Sequence, residues 1–219
     1  MVLAAPNARG CPPVDMHGTL LDSHAPTVRA YTEWAIRYDL DPAVVLREAQ
    51  ERRTIDSLHG LARPGVDVES DALALMQRER HDTDGIVEIP GAGALLRSLP
   101  KDRWAIVTSA DRVLAQNRIA AAGLPMPDVL VTAEDVDQGK PSPDGYLLAA
   151  RQLKVDVRSC IVFEDAPAGI TAGLRAGAQV VAVASTHTNG KLGDQPYVND
   201  LLGIMPSLQR EEVVLAFAR

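Results

Sequence analysis

A chain of 219 residues with 46% apolar and 23% charged side chains can fill the interior of one substantial domain, or of a core carrying a smaller insert. A net charge of −7, 4% aromatic residues and no basic run argue against a nucleic-acid partner. No apolar stretch reaches the ~18 residues that span a bilayer, which argues against a membrane partner.

Residues 1–10, with Pro6 and a late Arg9, do not read as a signal peptide. Cys11 and Cys160 have no metal-ligand spacing, so free thiols and a cytoplasmic location are expected. The run Arg9-Gly10-Cys11-Pro12-Pro13-Val14 then approaches a polar octet. Proline cannot donate to a sheet ladder, so this approach is either a short, irregular strand or not a strand, with Val2–Ala5 pairing elsewhere. The octet is Asp15-Met16-His17-Gly18-Thr19-Leu20-Leu21-Asp22. A carboxylate at a sharp Gly turn can attack phosphorus, and with the carbonyl of residue 17 it can hold a hard cation.

From His24 to Glu88 the pattern is helical. Val28, Tyr31, Ala35 and Ile36 share one helix face, and Asp41-Pro42 opens a helix through Val45, Leu46 and Ala49. A third helix is predicted from Glu69 to Arg80 through Leu73 and Met76. Ser57 to Gly65 reads as a turn-rich loop holding His59 and Arg63. From Ile89 onward, apolar strands alternate with amphipathic helices. The predicted strands are Trp104–Ser109, Val129–Thr132, Cys160–Phe163 and Val180–Ala184. The predicted helices begin near Pro90, Asp111, Ser142 and Ala166. That alternation predicts an α/β fold, a Rossmann-like parallel sheet covered on both faces. Glu211 to Ala218 reads as a terminal helix.

Ligands of such sheets bind beyond the carboxyl ends of the strands. Four polar sets stand there. Besides the octet, Thr108-Ser109-Ala110 offers a hydroxyl and backbone N–H groups suited to phosphate oxygens, or alternatively to helix capping. Lys140, between Gly139 and Pro141, is either a fixed cation or a solvated one. Glu164-Asp165 follows a buried strand. Helix capping explains Asp165 alone, whereas a cation shared with Asp15 explains both carboxylates.

In this order the four sets resemble the motifs of the haloacid dehalogenase-like (HAD) superfamily, whose first motif is usually Asp-x-Asp-Gly-Thr-Leu. Here His17 stands at the second Asp. Val131–Val136, Gly139–Leu148 and Phe163–Gly169 resemble the branch acting on small sugar and polyol phosphates, such as 2-deoxyglucose-6-phosphate and glycerol phosphate. The resemblance implies a core of residues 1–22 and 89–219 with a helical cap of residues 23–88. It implies a phosphate monoester hydrolase in which Asp15 is nucleophile and His17 acid/base. Thr108 and Lys140 would complete the catalytic set, and Gly18, Thr19, Ser109 and Ala110 would bind phosphate. Mg²⁺ would be held by Asp15, the His17 carbonyl, Glu164 and Asp165. The cap element His-Gly-x-Arg is similar to His59-Gly60-Leu61-Ala62-Arg63, one residue longer, which implies substrate contacts from His59 and Arg63. The partner would be a small phosphorylated metabolite, and the protein a monomer or weak dimer. Because of His17, a phosphosugar-binding protein without turnover is the alternative. A phosphomutase and a haloacid dehalogenase of the same fold are the others.

Overall fold

The prolines before the octet do not remove the central strand; they shorten it. In the computed structural model, which describes residues 8–9, 11–49, 53–185, 192–209 and 212–217, strand β2 is only Pro13–Val14. It follows β1 (Ala8–Arg9) and lies between β5 (Ala105–Val107) and β7 (Ile161–Glu164), parallel to both. Pro13 has no N–H, so pairing toward β7 depends on Asp15, whose N–H reaches the Phe163 carbonyl at 3.0 Å. Val2–Ala5 lies outside the described residues.

Strand β3 (Leu21–Asp22) pairs antiparallel with β4 (Val87–Glu88), and between them run four helices. These are α1 (His24–Arg37), α2 (Pro42–Ala49), α3 (Thr54–Leu61) and α4 (Val68–His81). They share an apolar cluster of their own, built on Tyr31, Trp34, Val45, Leu58, Ala72 and Leu75. Helix α3 takes in residues 57–61, the first part of the stretch expected to be a loop. Ser57 and Leu58 are buried, and Gly60 has open space about it, so its cost in a helix, about 1 kcal/mol, is tolerated. The turn signal acts later, at Pro64. The faces also differ from expectation: Ile36 and Leu73 are exposed, because α1 buries Pro26, Ala30, Tyr31, Trp34 and Ala35, and α4 buries Ala72 and Leu75.

After β4 come α5 (Ala92–Ser98), β5, α6 (Arg112–Ala121), β6 (Val129–Val131) and α7 (Asp144–Leu153). Then follow β7, α8 (Pro167–Ala176), β8 (Gln179–Val183) and β9 (Tyr197–Val198). The described residues form a six-stranded parallel sheet in the order β6-β5-β2-β7-β8-β9. Val14, Ile106 and Phe163 pack with α5 and α6 on one face, whereas Val107, Val162 and Val180 pack with α7 and α8 on the other. Each inner strand therefore reads as a continuous apolar run. Cys11 and Cys160 are buried free thiols.

The terminal helix is not formed. Residues Glu212–Phe217 are a strand, β11, paired antiparallel with β10 (Ile204–Gln209) and with β1. Val213, Val214 and Leu215 are all buried, and Val213 and Leu215 join the main core. Consecutive burial with β-branched residues suits a covered strand, and the antiparallel partner supplied by β10 decides the outcome. Among the described residues no helix is long and apolar enough to cross a membrane.

Candidate active site

In this strand order the chain leaves β2 toward β5 on one side and fills β7, β8 and β9 on the other, so the ends of β2 and β7 flank a switch-point crevice. Asp15 follows β2, and Glu164 and Asp165 close β7. The octet turns sharply there: Gly18 takes φ +71°, and Leu20 and Leu21 donate to the Met16 carbonyl at 2.9 and 3.1 Å. Ser185 Oγ donates to the Gly18 carbonyl at 2.6 Å. Thr19 is fully buried and its hydroxyl donates to Asp165 Oδ1 at 3.3 Å, so its contact is with a carboxylate across the crevice.

Glu164 is fully buried and held on both oxygens. Oε1 accepts from Lys140 Nζ at 2.6 Å and from the Tyr146 hydroxyl at 2.9 Å, and Oε2 accepts from the Ala166 N–H at 3.1 Å. The same Lys140 ammonium donates to Asp15 Oδ1 and to the Val107 carbonyl. Burial and the neighbouring Glu164 charge push the Asp15 carboxyl up to about 7, with Lys140 pulling the other way. Burial opposes the Lys140 charge, but Asp15 and Glu164 together hold its pKa above the ordinary value. Burial, then the Glu164 charge, pushes the Tyr146 phenol up as well, so it stays a donor.

Oxygens of Asp15, Glu164 and Asp165 lie within 4.8 Å of one another. Three carboxyl groups face one ammonium in a buried crevice, and this all-oxygen donor set fits a hard divalent cation such as Mg²⁺.

At the end of β5, Thr108 is buried and its Oγ1 accepts from the Ala110 N–H at 3.2 Å, which leaves the hydroxyl proton for another acceptor. Helix α6 is capped by Asp111, which accepts from the Leu114 N–H at 3.0 Å, so Thr108 and Ser109 are not needed as caps. His17 is two residues beyond Asp15, in the same turn. Its Nε2 is 2.8 Å from Nη1 of Arg118, and burial, then Arg118 and Lys140, pushes its pKa well below the ordinary imidazole value.

A small open cavity adjoins Thr108 and Lys140, and Asp15, His17, Glu164 and Asp165 are not among its lining residues. Thr108, Ser109, Lys140 and Tyr146 line it, with Gln138 and with Arg53 from the helical insert. Neither His59 nor Arg63 lines it. Both are exposed: His59 faces Glu69 at 3.7 Å, and Arg63 donates to the Asp39 carbonyl at 2.7 Å. Among the described residues, the insert's cation beside the cavity is thus Arg53, held to Asp56 by bonds of 2.7 and 3.3 Å at the start of α3. Sequence reasoning missed Arg53, Tyr146, Ser185 and Arg118. Arg118 had a visible signal, a charge on the buried face of α6 among Leu114, Ala115 and Ile119.

Known proteins resemble this chain in sequence and in fold. The chain is 42% identical over 200 residues to hexitol phosphatase A of Escherichia coli, covering 90% of each chain. It is 30% identical over 201 residues to 2-deoxyglucose-6-phosphate phosphatase 1 of Saccharomyces cerevisiae, covering 82% of each. The fold matches a hydrolase from Pseudomonas syringae with a TM-score of 0.74 and 27% identity, over 88% of this chain and 94% of that one. The family model for haloacid dehalogenase-like hydrolases matches residues 14–177, from the strand before Asp15 to the end of α8, and the chain belongs to that family.

Proposed function

We propose that the protein is a divalent-metal-dependent phosphatase of a small sugar or polyol phosphate, working through an aspartyl-phosphate. The observation that carries this reading is the grouping of Asp15, Glu164, Asp165 and Lys140 at the crevice between β2 and β7. The relatives that are phosphatases of hexitols and 2-deoxyglucose 6-phosphate support the substrate class.

Asp15 attacks phosphorus while residue 17 protonates the departing alkoxide. Water then attacks the acyl phosphate, residue 17 accepting its proton, and phosphate leaves. Lys140 keeps the two carboxylates together and neutralises charge on the transferring group, and the Thr108 hydroxyl donates to a phosphoryl oxygen. Asp15, Asp165, Glu164 and the His17 carbonyl would hold Mg²⁺, which when bound offsets the negative charge of the phosphoryl oxygens. In this reading residues 23–88 are a cap domain over a core of residues 1–22 and 89–219, and Arg53 rather than His59 or Arg63 meets the substrate. One observation favours a second reading, binding without turnover: the acid/base position is a histidine whose Nε2 is already engaged.

A screen for phosphate release over hexitol, hexose and glycerol phosphates, with and without Mg²⁺, decides between the two. Mg²⁺-dependent release from at least one polyol or sugar phosphate is expected. Binding of these esters with no release at any Mg²⁺ concentration would leave only the second reading.

A further inference from the structure

Arg118 is 3% exposed on the buried face of α6; its Nε has no partner, and both terminal nitrogens are engaged inside the protein. Nη1 reaches His17 Nε2 at 2.8 Å and Ser23 Oγ at 3.3 Å. Nη2 reaches Glu79 Oε1 at 2.8 Å and Thr27 Oγ1 at 3.2 Å, and the Thr27 hydroxyl donates on to Glu79 at 3.3 Å. Glu79 is itself 5% exposed. A guanidinium has donors and no lone pair, so the bond to Nε2 has only one sense: the ring nitrogen accepts. A neutral imidazole accepting at Nε2 carries its proton on Nδ1.

The other acceptors belong to the helical insert. Ser23 and Thr27 begin α1 and Glu79 is near the end of α4, both where the insert meets the sheet domain. Next to them Arg80 Nε donates to Asp111 Oδ1 at 3.0 Å, and Asn117 Nδ2 donates to the Arg80 carbonyl at 2.7 Å. The two ends of the insert are thereby fastened to α6 around a single buried guanidinium.

We propose that Arg118 is a positioning residue for His17: by donating to Nε2 it fixes the ring and leaves Nδ1 as the protonated nitrogen that serves the reaction. It holds that geometry because Glu79, Thr27 and Ser23 of the seated insert hold the guanidinium. The proposal rests on the reading of His17 as acid/base. It adds which nitrogen works and what sets it: Nδ1 gives its proton to the alkoxide, the imidazolate so formed is paired with the Arg118 guanidinium at Nε2, and Nδ1 then takes the proton of the attacking water.

The test is the tautomer of His17 in the intact protein, read from two-bond ¹H–¹⁵N correlations of ¹⁵N-histidine-labelled samples. The chain has five histidines, and the His17 signals are those lost in His17→Gln. The expected wild-type pattern is Nδ1 protonated and Nε2 bare; a wild-type Nε2–H tautomer overturns the proposal whatever the variants do. In Arg118→Met the pattern should shift toward Nε2–H, and kcat should fall about 10-fold or more with KM changed less than about 2-fold. Arg118→Lys, which keeps one donor, should recover part of kcat. His17 signals and kcat unchanged in a folded Arg118→Met also overturn it. Should Arg118→Met fail to fold, Glu79→Gln keeps the guanidinium while weakening its anchor and should move the same signals. If His17→Gln retains full kcat, the acid/base reading fails and the proposed role falls with it, even where the Nδ1 tautomer is found.

Discussion

Gly169 and Glu164 fit together only because residue 169 has no side chain: a Cβ there would lie 1.6 Å from Glu164 Oε1 and 2.0 Å from its carboxyl carbon. The carboxylate cannot give way freely, since Lys140, Tyr146 and the Ala166 N–H hold it. Gly169→Ala therefore forces an overpacked core of the kind that costs about 1–3 kcal/mol. For a chain of this size the expected fall in Tm is roughly 2–4 °C per kcal/mol. The displaced group belongs to the proposed metal site, so Mg²⁺ is expected to raise the Tm of the wild type and to raise that of the variant less. Thermal unfolding with and without Mg²⁺ measures both, and an unchanged Tm would show that Glu164 moves aside without cost.

Asp15→Asn removes the proposed nucleophile and one of three clustered carboxyl groups. Phosphate release should fall by at least about 10³-fold, as expected when a covalent nucleophile is lost. The metal-free fold should remain, because the amide relieves repulsion with Glu164 and can still accept from Lys140. A circular-dichroism melt beside the activity assay reads both effects, and retained turnover would remove Asp15 from the nucleophile's role.

Arg53→Ala should raise KM or lower kcat/KM by about 10- to 100-fold, the loss of a charge-assisted hydrogen bond worth about 1.5–3 kcal/mol. Tm should barely change, since Arg53 is exposed and its ion pair with Asp56 is partly solvated. Arg63→Ala, whose partner is the Asp39 carbonyl, should leave kcat/KM unchanged. Steady-state kinetics on any ester that the screen identifies separate the two, and the reverse pattern would return the substrate contact to Arg63.

His17→Asp places a carboxylate opposite Arg118, whose donors suit either side chain. The family's usual acid/base group is restored, and kcat should rise by about 10-fold or more within the range such groups contribute. A rate that stays negligible would favour binding without turnover.

The sheet and its strand ends were legible because parallel strands buried on both faces write themselves as short apolar runs followed by polar residues. Thr108 and Glu164 stand where such runs end, and Lys140 lies in the loop that follows Val129–Val131. What the sequence hid were choices between equally good local patterns. Glu212–Phe217 is a strand because β10 offers it an antiparallel partner, and Thr54–Leu61 is a helix because Leu58 and Ser57 found a covered face. Arg53 and Arg63 look alike as surface cations, and only the packing of α3 brings one of them to the cavity. His17 and Arg118 are 101 positions apart, and no local spacing announces that contact.

The short central strand has a consequence during synthesis. Pro13–Val14 is made early, but its neighbours Ala105–Val107 and Ile161–Glu164 arrive only after more than 90 further residues. At roughly 5–20 residues per second the strand waits on the order of ten seconds for its first partner. An unpaired apolar strand is then open to pairing with other nascent chains. Pro12 and Pro13 offer no N–H to such a neighbour, while Val14 and Asp15 keep the donors used in the finished sheet. The residues that make the native ladder short thus also make it a poor template for aggregation on the ribosome.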